Sequence, residues 1–320
     1  MPSPRGRQRL LSRPRPALAL LLALGIALAA SACGSSGNSD VTLTIGSRAT
    51  PEEEILGHIY VQALNAVGYD AKGEFGIETE YRDAPLKELE YGHISGYPEQ
   101  VDAELRLFLG VEEEDMPRVA QKAYELARAK LAKQHLTAFP PTPYSVNRQV
   151  GMLRQTAEGR HLKTVSDLRG QAEEMMLSGF EDCHRRLDCL GGIERYYRIY
   201  FKGFSGLYDM AEIKARYASL KEGDFDASIL YSTDGHLAGK KSKFVILEDD
   251  KHALPAGNVI FLTAPKIVEE AGPDFKKTIV AAQRGLTLPV MQRLVAEVEL
   301  EKKDPAGVAA GYLKRIRLGP

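Results

Sequence analysis

The chain has 320 residues, 42 Lys and Arg against 43 Asp and Glu, and 44% hydrophobic residues, with 14 Tyr and no Trp. A chain this long can build two lobes with separate cores, and its mildly acidic balance lacks the basic footprint of a nucleic-acid-binding surface. Low-complexity tracts and internal repeats are absent.

The first forty residues carry an address. Arg5, Arg7, Arg9, Arg13 and Arg15 precede an uncharged run over 16–32 that ends Ala30-Ser31-Ala32-Cys33. A basic head, a short apolar core and small residues before a cleavage point make a secretory signal, and the run is short of the ~20 residues a spanning helix needs. The cysteine after the cut predicts a lipoprotein. Residues 1–32 are then removed, Cys33 is lipidated, and 33–40 form a flexible polar tether that holds the domain at the extracytoplasmic face of the cell membrane.

Residues 41–45 alternate apolar and polar and predict a strand. Thr50-Pro51-Glu52-Glu53 follows as an N-cap, a first-turn proline and a Glu three residues after the cap. Ile55, Leu56, Ile59, Tyr60, Ala63, Leu64 and Val67 then recur on one helical face. Such a strand–loop–helix unit places backbone N–H groups beside the carboxyl end of a strand, where α/β sheets bind ligands. A strand is expected over 77–81, a short helix over 86–91, and a charged helix over 105–133 whose acidic run 112–115 is a solvated cap.

Three prolines make 139–144 extended, the best place for a lobe boundary. Strands are expected at 149–153, 175–177 and 225–231, with helices opening at 165 and spanning 208–220. A second punctuated crossing lies at 254–258, before a strand at 259–262 and amphipathic helices over 264–317. Alternation with two crossings implies an α/β chain that leaves one lobe and returns. Cys183 and Cys189 lie six apart, and in an exported domain the pair is expected to be a disulfide rather than a metal site or redox couple. His184 alone does not complete a four-ligand metal set.

Gly46-Ser47-Arg48 with Glu52 and Ile55-Leu56-Gly57, then Tyr97-Pro98-Glu99, then the segment 183–191 resemble one known family. So do LKEGDFD at 220–226, STDG at 232–235 and LEDDK at 247–251. The ordered set, running over 41–313, is similar to the substrate-binding proteins of osmoprotectant (glycine betaine, carnitine, choline) ABC importers. The resemblance implies a two-lobed type II periplasmic-binding-protein fold with two hinge crossings. Lobe 1 would be 41–146 plus 258–320 and lobe 2 147–257, closing as a monomer around a small solute. It implies no catalytic residues, no metal and no cofactor, with a permease and a separate ATPase as partners. The chain has no P-loop of its own. An enzyme is disfavoured, since Gly203-Phe204-Ser205-Gly206 is one residue short of G-x-S-x-G. A ligand-presenting sensor is the remaining alternative.

Family members hold a quaternary ammonium in a cage of tyrosine faces by cation–π attraction. The resemblance makes Ser47, Arg48, Glu53, Tyr97 and Glu99 candidates on one lobe, and Arg148, Tyr231, Thr233, Asp234 and Asn258 at the crossings and on the other. Tyr97 and Tyr231 are either cage walls or ordinary core. Asp234 is a ligand-facing acid or, preferably, a helix cap. Arg148 is a salt-bridge partner for Glu99 or Glu53, or a fork for an anionic group. The chain also departs from the family pattern. Gln100-Val101-Asp102 stands where Tyr-Thr-Gly is usual, and Arg148 and Gly257 stand where aromatics are expected, with Tyr144 a possible substitute. Arg148 and Glu53 add charge where the family has aromatic or amide groups, which suits a larger, more polar or partly anionic solute.

Overall fold

The computed structural model describes residues 41–77, 83–206 and 213–319. The expected signal, Cys33 and the tether lie outside the described residues, as do 78–81 of one predicted strand and 208–212 of one predicted helix.

Strand β1 (Thr42–Arg48) opens the domain and runs beyond the predicted 45, because it pairs in parallel with β2 (Asp70–Ile77) through a bulge between Gly46 and Arg48. That extension carries Arg48 to the strand's carboxyl end. Helix α1 (Pro51–Ala66) starts as its sequence dictates, with the Thr50 side chain accepting from Glu53 N at 3.2 Å and Pro51 in the first turn. Its face of Ile55, Leu56, Ile59, Tyr60, Ala63 and Leu64 is fully buried. Each large side chain there contributes about 1.5–3 kcal/mol. Val67 is the C-cap and is 45% exposed, so the buried face ends one turn earlier than the periodicity predicted.

Helix α2 (Ala84–Glu90) leads to β3 (Gly96–Gln100), and α3 (Val101–Leu107) follows without a loop. The single helix expected over 105–133 is in fact broken. Gly110 takes φ +61, a turn spans Glu113–Asp115, and α4 (Ala120–Ala132) restarts beyond Pro117. The acidic run does more than meet solvent. Glu113 Oε2 accepts from Leu187 N at 2.7 Å, and Glu114 pairs with Arg195 at 2.9 Å.

After the two-residue strand β4 (Thr137–Ala138) the chain enters the second sheet with β5 (Arg148–Leu153) and the short helix α5 (Arg154–Gly159). Strands β6 (Met176–Gly179) and β7 (Gly203–Gly206), helix α6 (Ile213–Glu222) and strands β8 (Ala227–Tyr231) and β9 (Phe244–Ile246) complete that part. The helix expected to open at 165 is one turn of 3-10 helix, Val165–Leu168. The chain returns with β10 (Val259–Thr263) and closes with helices α7 (Pro265–Ala271), α8 (Pro273–Gln283), α9 (Leu288–Glu299) and α10 (Pro305–Arg315).

Two five-stranded sheets result, ordered β2-β1-β3-β10-β4 and β7-β6-β8-β5-β9. In each, a parallel core gains an antiparallel strand at a crossing: β10 on β3 in the first, β5 on β8 in the second. The crossings bind each other. Val146 N donates to Gly257 O at 2.9 Å, and Gly257 N donates to Ser145 Oγ at 2.9 Å.

Candidate functional site

A cleft of about 720 Å³ opens where β1, β3 and β8 end, beside the start of α1. One wall is a carboxylate cluster around a single guanidinium. Arg48 Nη1 lies 3.3 Å from Glu53 Oε1, and its Nη2 donates to Glu99 Oε2. Burial opposes the charge on Arg48, but the neighbouring Glu99 and Glu53 outweigh it and hold the guanidinium firmly protonated. Burial also pushes the Glu53 carboxyl up to about 7 against the pull of Arg48. Glu52 is pushed to about 7 by burial, with hydrogen bonds from Thr233 and Tyr144 opposing it. The Tyr144 hydroxyl donates to Glu52 Oε1 at 2.9 Å.

The other wall is aromatic and cationic. The rings of Phe180 and Tyr231 lie 5.3 Å apart at 52°. Arg148 sits 5.4 Å from the Phe180 centroid and 5.5 Å from that of Tyr231. Arg216 sits 5.4 and 5.1 Å from the same two rings. Both guanidinium groups therefore occupy the neighbourhood of one aromatic pair, at cation–π distance.

The structure distributes the sequence-derived candidates unevenly. Arg48, Glu53, Glu99, Arg148, Tyr231, Thr233 and Asp234 line the cleft. Ser47 and Tyr97 are fully buried beneath it, with Arg48 5.9 Å above the Tyr97 ring. Asn258 is committed elsewhere: its Nδ2 donates to the carbonyls of Thr142 and Tyr144 at 2.9 Å each, tying the crossing together.

Three readings change. Arg148 pairs with neither Glu99 nor Glu53, because Arg48 already holds both; its Nη1 donates to Asp188 Oδ2 at 2.6 Å. Asp234 makes no side-chain cap on the turn Gly235–Leu237. Its Oδ2 accepts instead from Tyr217 OH at 2.9 Å and Tyr231 N at 3.1 Å, and burial raises its pKa. Gly257 is not a truncated cage wall, since a Cβ there would meet Val146 O at 2.2 Å.

Sequence reasoning missed Phe180, Arg186, Arg216 and Glu299 in the lining. Burial raises Glu299 to about 7, with Asp234 adding to the effect. Among the described residues no cluster of three or more His, Cys, Asp or Glu could hold a metal. The sulfurs of Cys183 and Cys189 are joined just after Phe180, with Cα atoms 5.2 Å apart.

The family model for the substrate-binding domain of the ABC-type glycine betaine transport system matches residues 41–315. The chain belongs to this family. It is 26% identical over 289 residues to the carnitine transport binding protein OpuCC of Listeria monocytogenes, covering 88% of this chain and 89% of that protein. It is 25% identical over 288 residues to a glycine-betaine-binding protein of Pseudomonas aeruginosa, covering 87% and 88%. Among solved structures, a glycine betaine/carnitine/choline ABC transporter protein aligns with TM-score 0.75 at 21% identity, over 86% of this chain and 99% of that one. Lactococcal OpuAC, closed on glycine betaine, aligns with TM-score 0.55 at 12% identity over 87% and 97%. The fold is thus the two-lobed type II periplasmic-binding architecture, and the family's work is extracytoplasmic solute binding for ABC transporters rather than catalysis.

Proposed function

We propose that this chain is the monomeric, lipid-anchored receptor of an ABC importer, that 41–146 with 258–320 and 147–257 are its two lobes, and that the cleft between Arg48 and Arg216 holds the solute. Membership of the two sheets supports the division, since the first draws its strands from Thr42–Ala138 and Val259–Thr263 and the second from Arg148–Ile246. Ser47, Tyr97 and Asn258 then support the site from behind, while Arg48, Glu53, Glu99, Arg148, Tyr231, Thr233 and Asp234 meet the solute.

The occupied aromatic pair carries the reading of solute class. A trimethylammonium needs open π faces, and here two arginines lie against the Phe180 and Tyr231 rings and would repel it. The site suits a more polar, partly anionic member of the osmoprotectant class. Calorimetry on the mature chain should show millimolar or no binding of glycine betaine, and submicromolar binding would refute the assignment. In cells, the full chain should fractionate with membranes, and Cys33→Ala should release it or leave the precursor; a full-length soluble cytoplasmic product would remove the anchor.

A further inference from the structure

We propose that Arg216 is the anion-binding donor of this cleft and that the solute is a zwitterion whose nitrogen carries hydrogens, an amino acid or short amino carboxylate. The inference rests on the reading of the cleft as the solute site and names what that site selects.

Arg216 is 1% exposed, lines the cleft, and its guanidinium makes no hydrogen bond among the described residues. Its Nε and Nη1 are buried without a hydrogen-bond partner among the described residues, and Nη2 is 3.7 Å from Asp234 Oδ1, an ion pair beyond hydrogen-bond reach. Asp234 is its ion-pair partner through Oδ1 but gives it no hydrogen bond, since Tyr217 OH and Tyr231 N hold the carboxylate by Oδ2. Arg148 repeats the pattern, with Nη1 committed to Asp188 and Nε buried without a partner. A buried guanidinium with open N–H groups is costly by itself, and a carboxylate that takes two parallel N–H bonds, from Nη2 with Nε or Nη1, is the group that fits it.

The facing wall has the complementary demand. Among the described residues Glu53 Oε2 is buried without a hydrogen-bond partner, and Glu52, the next residue, lines the cleft with Oε1 bonded by Tyr144. Both are acceptors, and a trimethylammonium has no proton to give them. An ammonium with N–H groups can bond them while its carboxylate reaches Arg216. Burial raises the Glu52 and Glu53 carboxyls to about 7, and a bound ammonium would favour their charged forms.

Two methylation ladders separate the possibilities on the unlipidated mature chain (33–320 with Cys33→Ser): glycine to glycine betaine, and γ-aminobutyrate to its trimethyl form. Thermal shift and calorimetry on these, the common amino acids and nitrogen-free dicarboxylates should rank a primary amine first, at least about tenfold tighter than its trimethyl counterpart. R216Q should weaken the best binder at least about thirtyfold, and R216K, which keeps charge but loses the fork, should rescue it only in part. The wild-type ranking stands whether or not either variant folds. A trimethyl compound or a dicarboxylate binding tightest, or R216Q within about twofold of wild type, would overturn the proposal and leave the receptor reading intact. No shift from any compound tested would remove both.

Discussion

Arg148 donates from Nη1 to Asp188 Oδ2 at 2.6 Å, and Arg186 grips the same carboxylate through Nε and Nη2. Burial alone would raise the Asp188 pKa, but the bond from Arg186 and the charge of Arg148 hold it below the usual range. One acid thus anchors two arginines that line the cleft.

Asp188→Asn should therefore cost about 3 kcal/mol at pH 7, because it takes the carboxylate from Arg148 and leaves Arg186 only its bond to Asp182. Arg148→Ala should cost less, about 1–2 kcal/mol, since Arg186 still satisfies the acid. A depressed carboxyl contributes stability that is present above its unfolded value and lost as pH falls through the folded one. The gap between wild type and Asp188→Asn in urea unfolding should accordingly close below about pH 4. A constant gap down to pH 3 would assign the loss to packing instead.

The opposite pH dependence comes from the acids that burial raises. Glu52, Glu53 and Glu299 reach about 7, and Glu104 about 8 through burial with Glu99 adding to it. Their contribution is complete below the unfolded value and is lost as pH rises through 7–8, so the ligand-free domain should melt at lower temperature at pH 9 than at pH 6. Glu104 is the cleanest probe, being fully buried with neither carboxyl oxygen hydrogen-bonded among the described residues. Glu104→Gln should match wild type near pH 5 and exceed it by roughly 1–3 kcal/mol at pH 9. Equal stability at both pH values would mean that Glu104 stays ionised.

What was legible in the sequence is what short segments decide. Thr50-Pro51 and the apolar face of α1 report a helix start and its buried side, and both depend on neighbours within a few turns. The break at Gly110 was hidden because the charged residues on either side keep helical spacing. Arg216 was invisible for a different reason. In sequence it is one of several basic residues on a helix, and its burial comes from packing against Phe180, 36 positions away, and Tyr231. For Arg148 the sequence offers Glu99 or Glu53 as a salt-bridge partner or an anionic ligand, and nothing local points to Asp188, 40 residues on.

Gly257 shows how a missing side chain can be misread. Its place in the crossing puts a Cβ 2.2 Å from Val146 O and 3.3 Å from Asp102 Oδ1. Gly257→Ala should cost at least about 1–3 kcal/mol through overpacking, and Gly257→Tyr should prevent folding rather than supply a cage wall. A Gly257→Tyr protein with wild-type melting and improved choline binding would restore the cage reading.

The joined Cys183 and Cys189 close a loop of only six positions, so the bond restrains little of the unfolded chain. Reduction should gain two protons in intact mass and lower stability by about 2 kcal/mol. Phe180 lies in the turn just before it, so Cys183→Ser with Cys189→Ser should disturb solute affinity more than its stability loss suggests. Two thiols alkylated without reductant would show that the bond does not form.

The aromatic pair gives the sharpest test of the proposal that this cleft excludes quaternary ammonium. Arg148 and Arg216 each lie against both Phe180 and Tyr231, so a trimethylammonium meets covered faces and like charge together. Arg148 is the removable one, because Asp188 keeps Arg186 when it is gone. Arg148→Ala uncovers part of the pair and deletes one charge, and a freed aromatic face is worth roughly 0.5–2 kcal/mol to a cation. Choline affinity should therefore rise about 2–30-fold in Arg148→Ala, while a carboxylate-bearing solute loses affinity in the same variant. The two shifts must run in opposite directions in calorimetry. Choline weakening together with the carboxylate solute would mean that Arg148 only shapes the cleft and does not decide which charge it accepts.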